Sequence, residues 1–111
     1  MTRITTHVLD TSAGHPAAGV AVKLEAQAGN GWKAVAAGTT DREGRVSDLT
    51  DKAAVPAGTY RLHFAVAEYF AARMISAFYP YVEITFTVRE GEHYHVPLLL
   101  SPFGYSTYRG S

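Results

Sequence analysis

Three histidines carry the first chemical suggestion in this chain of 111 residues: His7 near one end, and His93 and His95 near the other. Imidazole takes and gives a proton near neutral pH, as hydrolysis of an amide requires. His93 and His95 stand two apart in an alternating stretch, so on a strand they point the same way. Three readings stay open for them: acid–base groups, a three-histidine metal site with His7, or polar residues on a strand face. The spacing permits a metal without demanding one. No nearby carboxylate stands out as an orienting partner, and no metal is expected. Arg45 follows the bend Asp41-Arg42-Glu43-Gly44, where a guanidinium could clamp a carboxylate or an anionic heterocycle. By position alone, a solvated turn arginine is the simpler reading. The tail, Tyr105-Ser106-Thr107-Tyr108-Arg109-Gly110-Ser111, is aromatic where chain ends are commonly polar. Tyr108 and Arg109 either offer hydrogen bonds and charge to a polar ligand or merely close a sheet. His15 and His63 read as loop and strand-face residues, and Asp41 and Glu43 as turn residues.

Several chemistries are excluded. There is no Gly-x-Ser-x-Gly elbow and no phosphate-cradling glycine loop. Cysteine is absent, which removes disulfides, thiolate catalysis and thiolate metal ligands. Lys+Arg and Asp+Glu are 10 each, so no global basic field draws in nucleic acid or an anionic membrane. No apolar run approaches a membrane span, and Met1 to Asp10 has no apolar signal-peptide segment. The chain does not end in Ser-Lys-Leu, so that peroxisomal address is missing. A cytoplasmic location is the expectation.

The elements that must position these groups are mostly strands. Hydrophobic residues make up 47% and charged residues 18%, the balance of a single globular domain spanning 1–111. Val20, Val22, Leu24 and Ala26 alternate with polar or small residues, as do Tyr60, Leu62, Phe64 and Val66, and Val82, Ile84, Phe86 and Val88. Each segment predicts a strand with one buried face. Further strands are expected at Ile4 to Asp10, Lys33 to Thr39, His93 to Ser101 and Tyr105 to Arg109. Gly29-Asn30-Gly31 signals a hairpin. One helix is expected from Glu68 to Ala77, with Val66, Phe70, Met74 and Ala77 on one face and Pro80 stopping the pattern soon after. Short strands with regular turns suggest a two-sheet sandwich. Beside the histidines, the outer faces of the first and penultimate strands carry Leu9, Pro97 and Leu99. Such faces suit a covering partner subunit better than water.

The two ends and the middle together resemble one family. Ile4-Thr5-Thr6-His7-Val8-Leu9-Asp10-Thr11, followed by Gly14-His15-Pro16-Ala17, is similar to the opening of the transthyretin-like proteins. His93-Tyr94-His95-Val96-Pro97-Leu98-Leu99-Leu100-Ser101-Pro102 resembles their penultimate strand. Tyr108-Arg109-Gly110-Ser111 resembles the C-terminal signature of the family's enzyme branch, the 5-hydroxyisourate hydrolases, and Asp41 to Arg45 its turn ending in Gly-Arg. Glu43 departs from the Asp more usual there. The resemblance implies an all-β, transthyretin-like sandwich of two four-stranded sheets with one short helix. It implies a homotetramer with sites between dimers, and no metal or organic cofactor. It also implies an activity: hydrolysis of one ring amide of 5-hydroxyisourate, giving 2-oxo-4-hydroxy-4-carboxy-5-ureidoimidazoline. Carried over residue by residue, His7, Arg45, His95 and Ser111 are the expected catalytic groups. His7, Arg45, Tyr108, Arg109 and Gly110 are the expected substrate contacts. Ser111, by its hydroxyl or a terminal carboxylate, would orient a histidine. The rivals are a carrier of a hydrophobic ligand, a metal-dependent hydrolase and a structural adaptor.

Overall fold

A computed structural model describes residues 2–110. The elements are β1 (Arg3–Asp10), β2 (His15–Pro16), β3 (Ala21–Ala28), β4 (Gly31–Thr39), β5 (Arg45–Val46), β6 (Gly58–Phe64), α1 (Val66–Ala71), β7 (Val82–Val88), β8 (His93–Ser101) and β9 (Gly104–Thr107). They form two sheets. One runs β4-β3-β6-β7; the other runs β2-β1-β8-β9, with β5 also on β1. The first sheet in sequence is thus four strands across. Its outer position is filled by two short pieces, β5 against Thr6 and His7 and β2 against Leu9 and Asp10.

The alternation read from sequence has its cause in the core. Val22, Leu24, Tyr60, Leu62, Phe64, Val82 and Val88 turn inward from one sheet, and Ile4, Val8, Tyr94, Val96, Leu98 and Leu100 from the other. Burying such side chains stabilises by roughly 1.5–3 kcal/mol each, enough to fix strand register. The pairing that matters most for function is β1 with β8. It is parallel, setting Arg3 opposite His93, Thr5 opposite His95 and His7 opposite Pro97.

Three expectations are corrected. The helix is not Glu68 to Ala77; it is the six residues of α1. Met74 takes a left-handed φ of 60°. The N–H of Ile75 donates to the Phe70 carbonyl and that of Met74 to the Ala71 carbonyl, closing the helix with a Schellman pattern. Met74 leaves the expected apolar face and is 95% exposed. The last strand stops at Thr107 rather than Arg109. Pro97 lies where β8 would next donate to it and has no N–H, so its carbonyl instead accepts the Thr107 hydroxyl at 2.7 Å. The pairing phase survives the gap, and Gly110 bridges back to His95. Finally, Pro97 is already buried within the chain rather than left on an uncovered outer face.

Candidate active site

The cleft that gathers the chemistry lies on the outer face of the β1–β8 sheet. It encloses about 320 Å³ and is lined by Arg3, Thr5, Thr6, Arg45, Ser47, His93 and His95. Strand period and register account for this membership. Arg3, Thr5 and His7 share the outward face of β1, and His93 and His95 that of β8; the parallel ladder sets the two rows side by side. The Thr5 hydroxyl lies 3.1 Å from His93 Nε2 and 2.9 Å from His95 Nδ1. Arg3 is held at the rim by a 2.9 Å bond from its guanidinium to the Ser47 carbonyl.

Arg45 enters through a tightly built turn. The Asp41 carboxylate accepts the N–H of Glu43 at 2.8 Å and of Arg45 at 3.0 Å. These bonds, that of Arg45 first, hold the Asp41 carboxyl below its usual pKa. Gly44 takes a φ of +79°, and its carbonyl accepts the Val8 N–H at 2.7 Å. A side chain at 44 would collide with the Val8 carbonyl and reach within 3.3 Å of the His7 ring. Glycine is therefore required twice over, for the conformation and for the close approach. The result is Arg45 directly opposite His7 across the β1–β5 pair.

His95 is the electrostatic centre. Burial lowers its pKa, and the neighbouring His7, His93 and Arg45 lower it further. A ring so placed stays neutral and available as a proton acceptor. The tail closes over it: Gly110 N–H donates to the His95 carbonyl at 2.7 Å, and a Cβ at 110 would come within 2.6 Å of the imidazole.

Of the expected site residues, Arg45 and His95 line the cleft; His7 stands on the same face of β1 opposite Arg45, and Gly110 packs against His95. Tyr108 and Arg109 do not join them within the chain. They border a second cleft of about 240 Å³ with Ile84, Phe86, Tyr94 and Val96. The pairing phase explains Arg109: it falls opposite Val96, whose side chain points inward, so the guanidinium stacks 4.5 Å from the Tyr94 ring and reaches Glu92 at 3.1 Å. Tyr108 is 57% exposed. Ser111 lies outside the described residues. Among the described residues, no cluster of three His, Cys, Asp or Glu side chains is arranged to hold a metal. Between His93 and His95 sits the Thr5 hydroxyl. Thr5, Arg3 and Ser47 were not singled out from the sequence. The β1–β8 register alone points to Arg3 and Thr5, and Ser47 joins them through its bond to Arg3.

Such a cleft can hold a polar, electron-rich ring against two guanidinium groups and present it to a neutral imidazole. Known proteins share this fold and much of the sequence. The model of the HIUase/transthyretin family matches residues 4–110. The 5-hydroxyisourate hydrolase of Salmonella typhimurium is 44% identical over 109 residues, covering 97% of this chain and 80% of its own. Among solved structures, the 5-hydroxyisourate hydrolase of Klebsiella pneumoniae superposes with a TM-score of 0.86 at 36% identity, covering 97% of this chain and 98% of that one. Sea bream transthyretin in complex with thyroxine superposes with a TM-score of 0.91 at 34% identity, covering 96% and 93%. An enzyme and a hormone-binding protein thus share this backbone, and only the site can separate the two activities.

Proposed function

The chain belongs to the HIUase/transthyretin family, and we propose that it is a 5-hydroxyisourate hydrolase of urate breakdown. The observation that carries this reading is the cleft's chemistry: His95, pKa lowered, shares it with Arg3, Arg45, Thr5 and His93, and His7 stands near enough to act on that pKa. A carrier for an apolar hormone would have little use for two arginines and two histidines around one small cleft.

In this reading Arg45 seats the polar, partly anionic ring and stabilises negative charge on the attacked carbonyl oxygen. His7 and His95 hold a water, and one of them takes its proton as the hydroxide adds to the amide carbon. The C–N bond then breaks, and the proton is returned to the leaving ring nitrogen. Water is consumed, the ring is opened and no redox change occurs. Tyr108, Arg109 and Gly110 contact the substrate, and the Ser111 hydroxyl orients a histidine. The separate cleft of Tyr108 and Arg109 supports a site completed by assembly. We take the protein to be a homotetramer in which neighbouring outer faces meet, with Leu9 and Leu99 in the contact. The chemistry needs no metal or organic cofactor, and a cysteine-free chain suits the cytoplasm.

The test is accelerated loss of the ultraviolet absorbance of freshly made 5-hydroxyisourate. Wild type should speed that loss, chelators should leave it unchanged, and His95→Asn should slow it by about 10²-fold or more while the circular dichroism stays native. A wild-type protein without effect, or a fully active His95→Asn, removes the proposal. Light scattering tests the tetramer.

A further inference from the structure

We infer that Thr5, by engaging Nδ1, sets the tautomer of His95 while His93 adapts to the hydroxyl, so that Thr5 is a positioning residue for the ring opening. This inference rests on the activity proposed above. Its basis is a count of hydrogens. A threonine hydroxyl carries one hydrogen and can donate only once. Thr5 Oγ1 lies within hydrogen-bonding distance of two imidazole nitrogens, His93 Nε2 at 3.1 Å and His95 Nδ1 at 2.9 Å. If the hydroxyl donates to one, the other ring must donate to it. Three arrangements satisfy both contacts: the hydroxyl donates to His93 and accepts from His95 Nδ1–H, the reverse, or it accepts from both rings; in two of the three the His95 hydrogen lies on Nδ1.

The cleft selects between them. Thr5 engages Nδ1 of His95, which leaves Nε2 as the nitrogen available to water and substrate. For Nε2 to accept a proton in the neutral ring, the hydrogen must reside on Nδ1. It then donates to Thr5 Oγ1, and the hydroxyl passes its own hydrogen to His93 Nε2. His93 is exposed, so water satisfies its other nitrogen in either tautomer. It adapts to the hydroxyl at no cost. The opposite arrangement places a hydrogen on His95 Nε2 and removes the base.

Geometry makes Thr5 suited to this. It stands opposite His95 in the parallel ladder, and its β-branched side chain has few χ1 choices. The same hydroxyl keeps the ring plane fixed from one side while Gly110 packs against the other part of the ring. The charged and titratable groups around the ring are His7 and Arg45 from β1 and β5, His93 from β8 and Arg3 at the rim. None of these offers Nδ1 an acceptor among the described hydrogen bonds. Thr5 is the partner it has.

The experiment is a long-range 1H–15N spectrum of protein labelled at histidine, at pH 8, with signals assigned through His93→Gln and His7→Asn. Wild type should show His95 protonated at Nδ1. In Thr5→Val the His95 signal should move toward the Nε2-protonated form. Its kcat should fall by about tenfold, with KM within about twofold, since a wrong tautomer weakens the base without removing the ring. Thr5→Ser should restore both readouts. His93→Gln, at an exposed position, should leave the fold intact; its amide oxygen accepts the same hydrogen and keeps the wild-type tautomer. Wild-type His95 protonated at Nε2, or Thr5→Val without change in tautomer and kcat, overturns the inference. A wild type that leaves 5-hydroxyisourate unaffected would instead remove the proposed function, and the tautomer spectra would still decide this point.

Discussion

Replacing Gly44 with alanine separates two costs that a turn glycine can carry. A second glycine supplies the control. Gly14 has a φ of +76°, nearly the +79° of Gly44, yet a Cβ at 14 would meet nothing within 4 Å. Gly14→Ala should therefore cost only the left-handed strain, about 1 kcal/mol. Gly44→Ala adds a collision with the Val8 carbonyl in the middle of β1, together with a contact of 3.1 Å to Pro16 Cβ. Backbone cannot yield as a side-chain tip can, and overpacking of this kind adds about 2 kcal/mol. A chain of 111 residues has an unfolding entropy near ~0.23 kcal/mol per K. The expected losses in Tm are then about 4 °C for Gly14→Ala and about 13 °C for Gly44→Ala, at one fixed protein concentration. Scanning calorimetry measures both. Ring opening should also slow in Gly44→Ala, because the 3.3 Å approach to the His7 ring displaces that side chain along with Arg45. Equal Tm losses in the two variants would refute the argument from close approach.

Gly110→Ala should lower kcat with little loss of stability, because its Cβ would push the His95 ring from 2.6 Å while β9 remains paired; a kcat equal to wild type would show the tail to be free to move away. The pH profile of kcat/KM should keep its acid limb below pH 6.5, since burial first, and then His7, His93 and Arg45, disfavour the charged form of His95; a limb at or above 6.5 contradicts that. Tyr69→Phe should cost about 1.5–3 kcal/mol, because a buried hydroxyl donating to the Asp10 carboxylate at 2.7 Å is removed. Burial raises the Asp10 pKa, but bonds from Ser12, Tyr69 and Ala13 outweigh it and leave the value below 3.8. The stability Asp10 contributes is thus present above pH 3.8 and lost as pH falls further, so acid titration of Tyr69→Phe should unfold at higher pH than wild type. Tyr69 itself is pushed up to about 12, chiefly by burial and then by Asp10. Its contribution holds to about pH 10 and is lost as pH rises to 12, a limb the phenylalanine variant should lack.

Periodicity carried much of this structure, and its failures have physical causes. Val82 to Val88 and His93 to Ser101 stand within the bounds their alternation predicts, because a half-buried strand must alternate. Gly29-Asn30 does join β3 to β4, with Ala28 facing Gly31. The helix end was not legible: a left-handed methionine closes it where sequence signals lead one to look for glycine. The end of β9 depended on Pro97 in the neighbouring strand, which no reading of residues 105–109 alone can register. The histidines were conspicuous by type, whereas Thr5 was not. Threonine on a strand face is ordinary, and its role appears only when the parallel register puts it between two rings. Arg109 shows the reverse. Its type and its place in the tail motif suggest the site, and within a single chain strand phase turns it toward Tyr94, which leaves its substrate contact to the proposed assembly.

The parallel union of β1 and β8 has a consequence for how the molecule is made. Thr5 and His95 are 90 positions apart, so the cleft cannot exist until β8 has left the ribosome. The other sheet needs no such wait, for β3, β4, β6 and β7 lie between these two strands in the chain. During synthesis that sheet can close first, while β1, with Ile4 and Val8 on its apolar side, stays without its principal neighbour. Long-range pairing of this kind is slow and leaves sticky surface exposed meanwhile. A translation product halted between Val88 and His93 would carry all four strands of that sheet while its cleft lacked both β8 histidines.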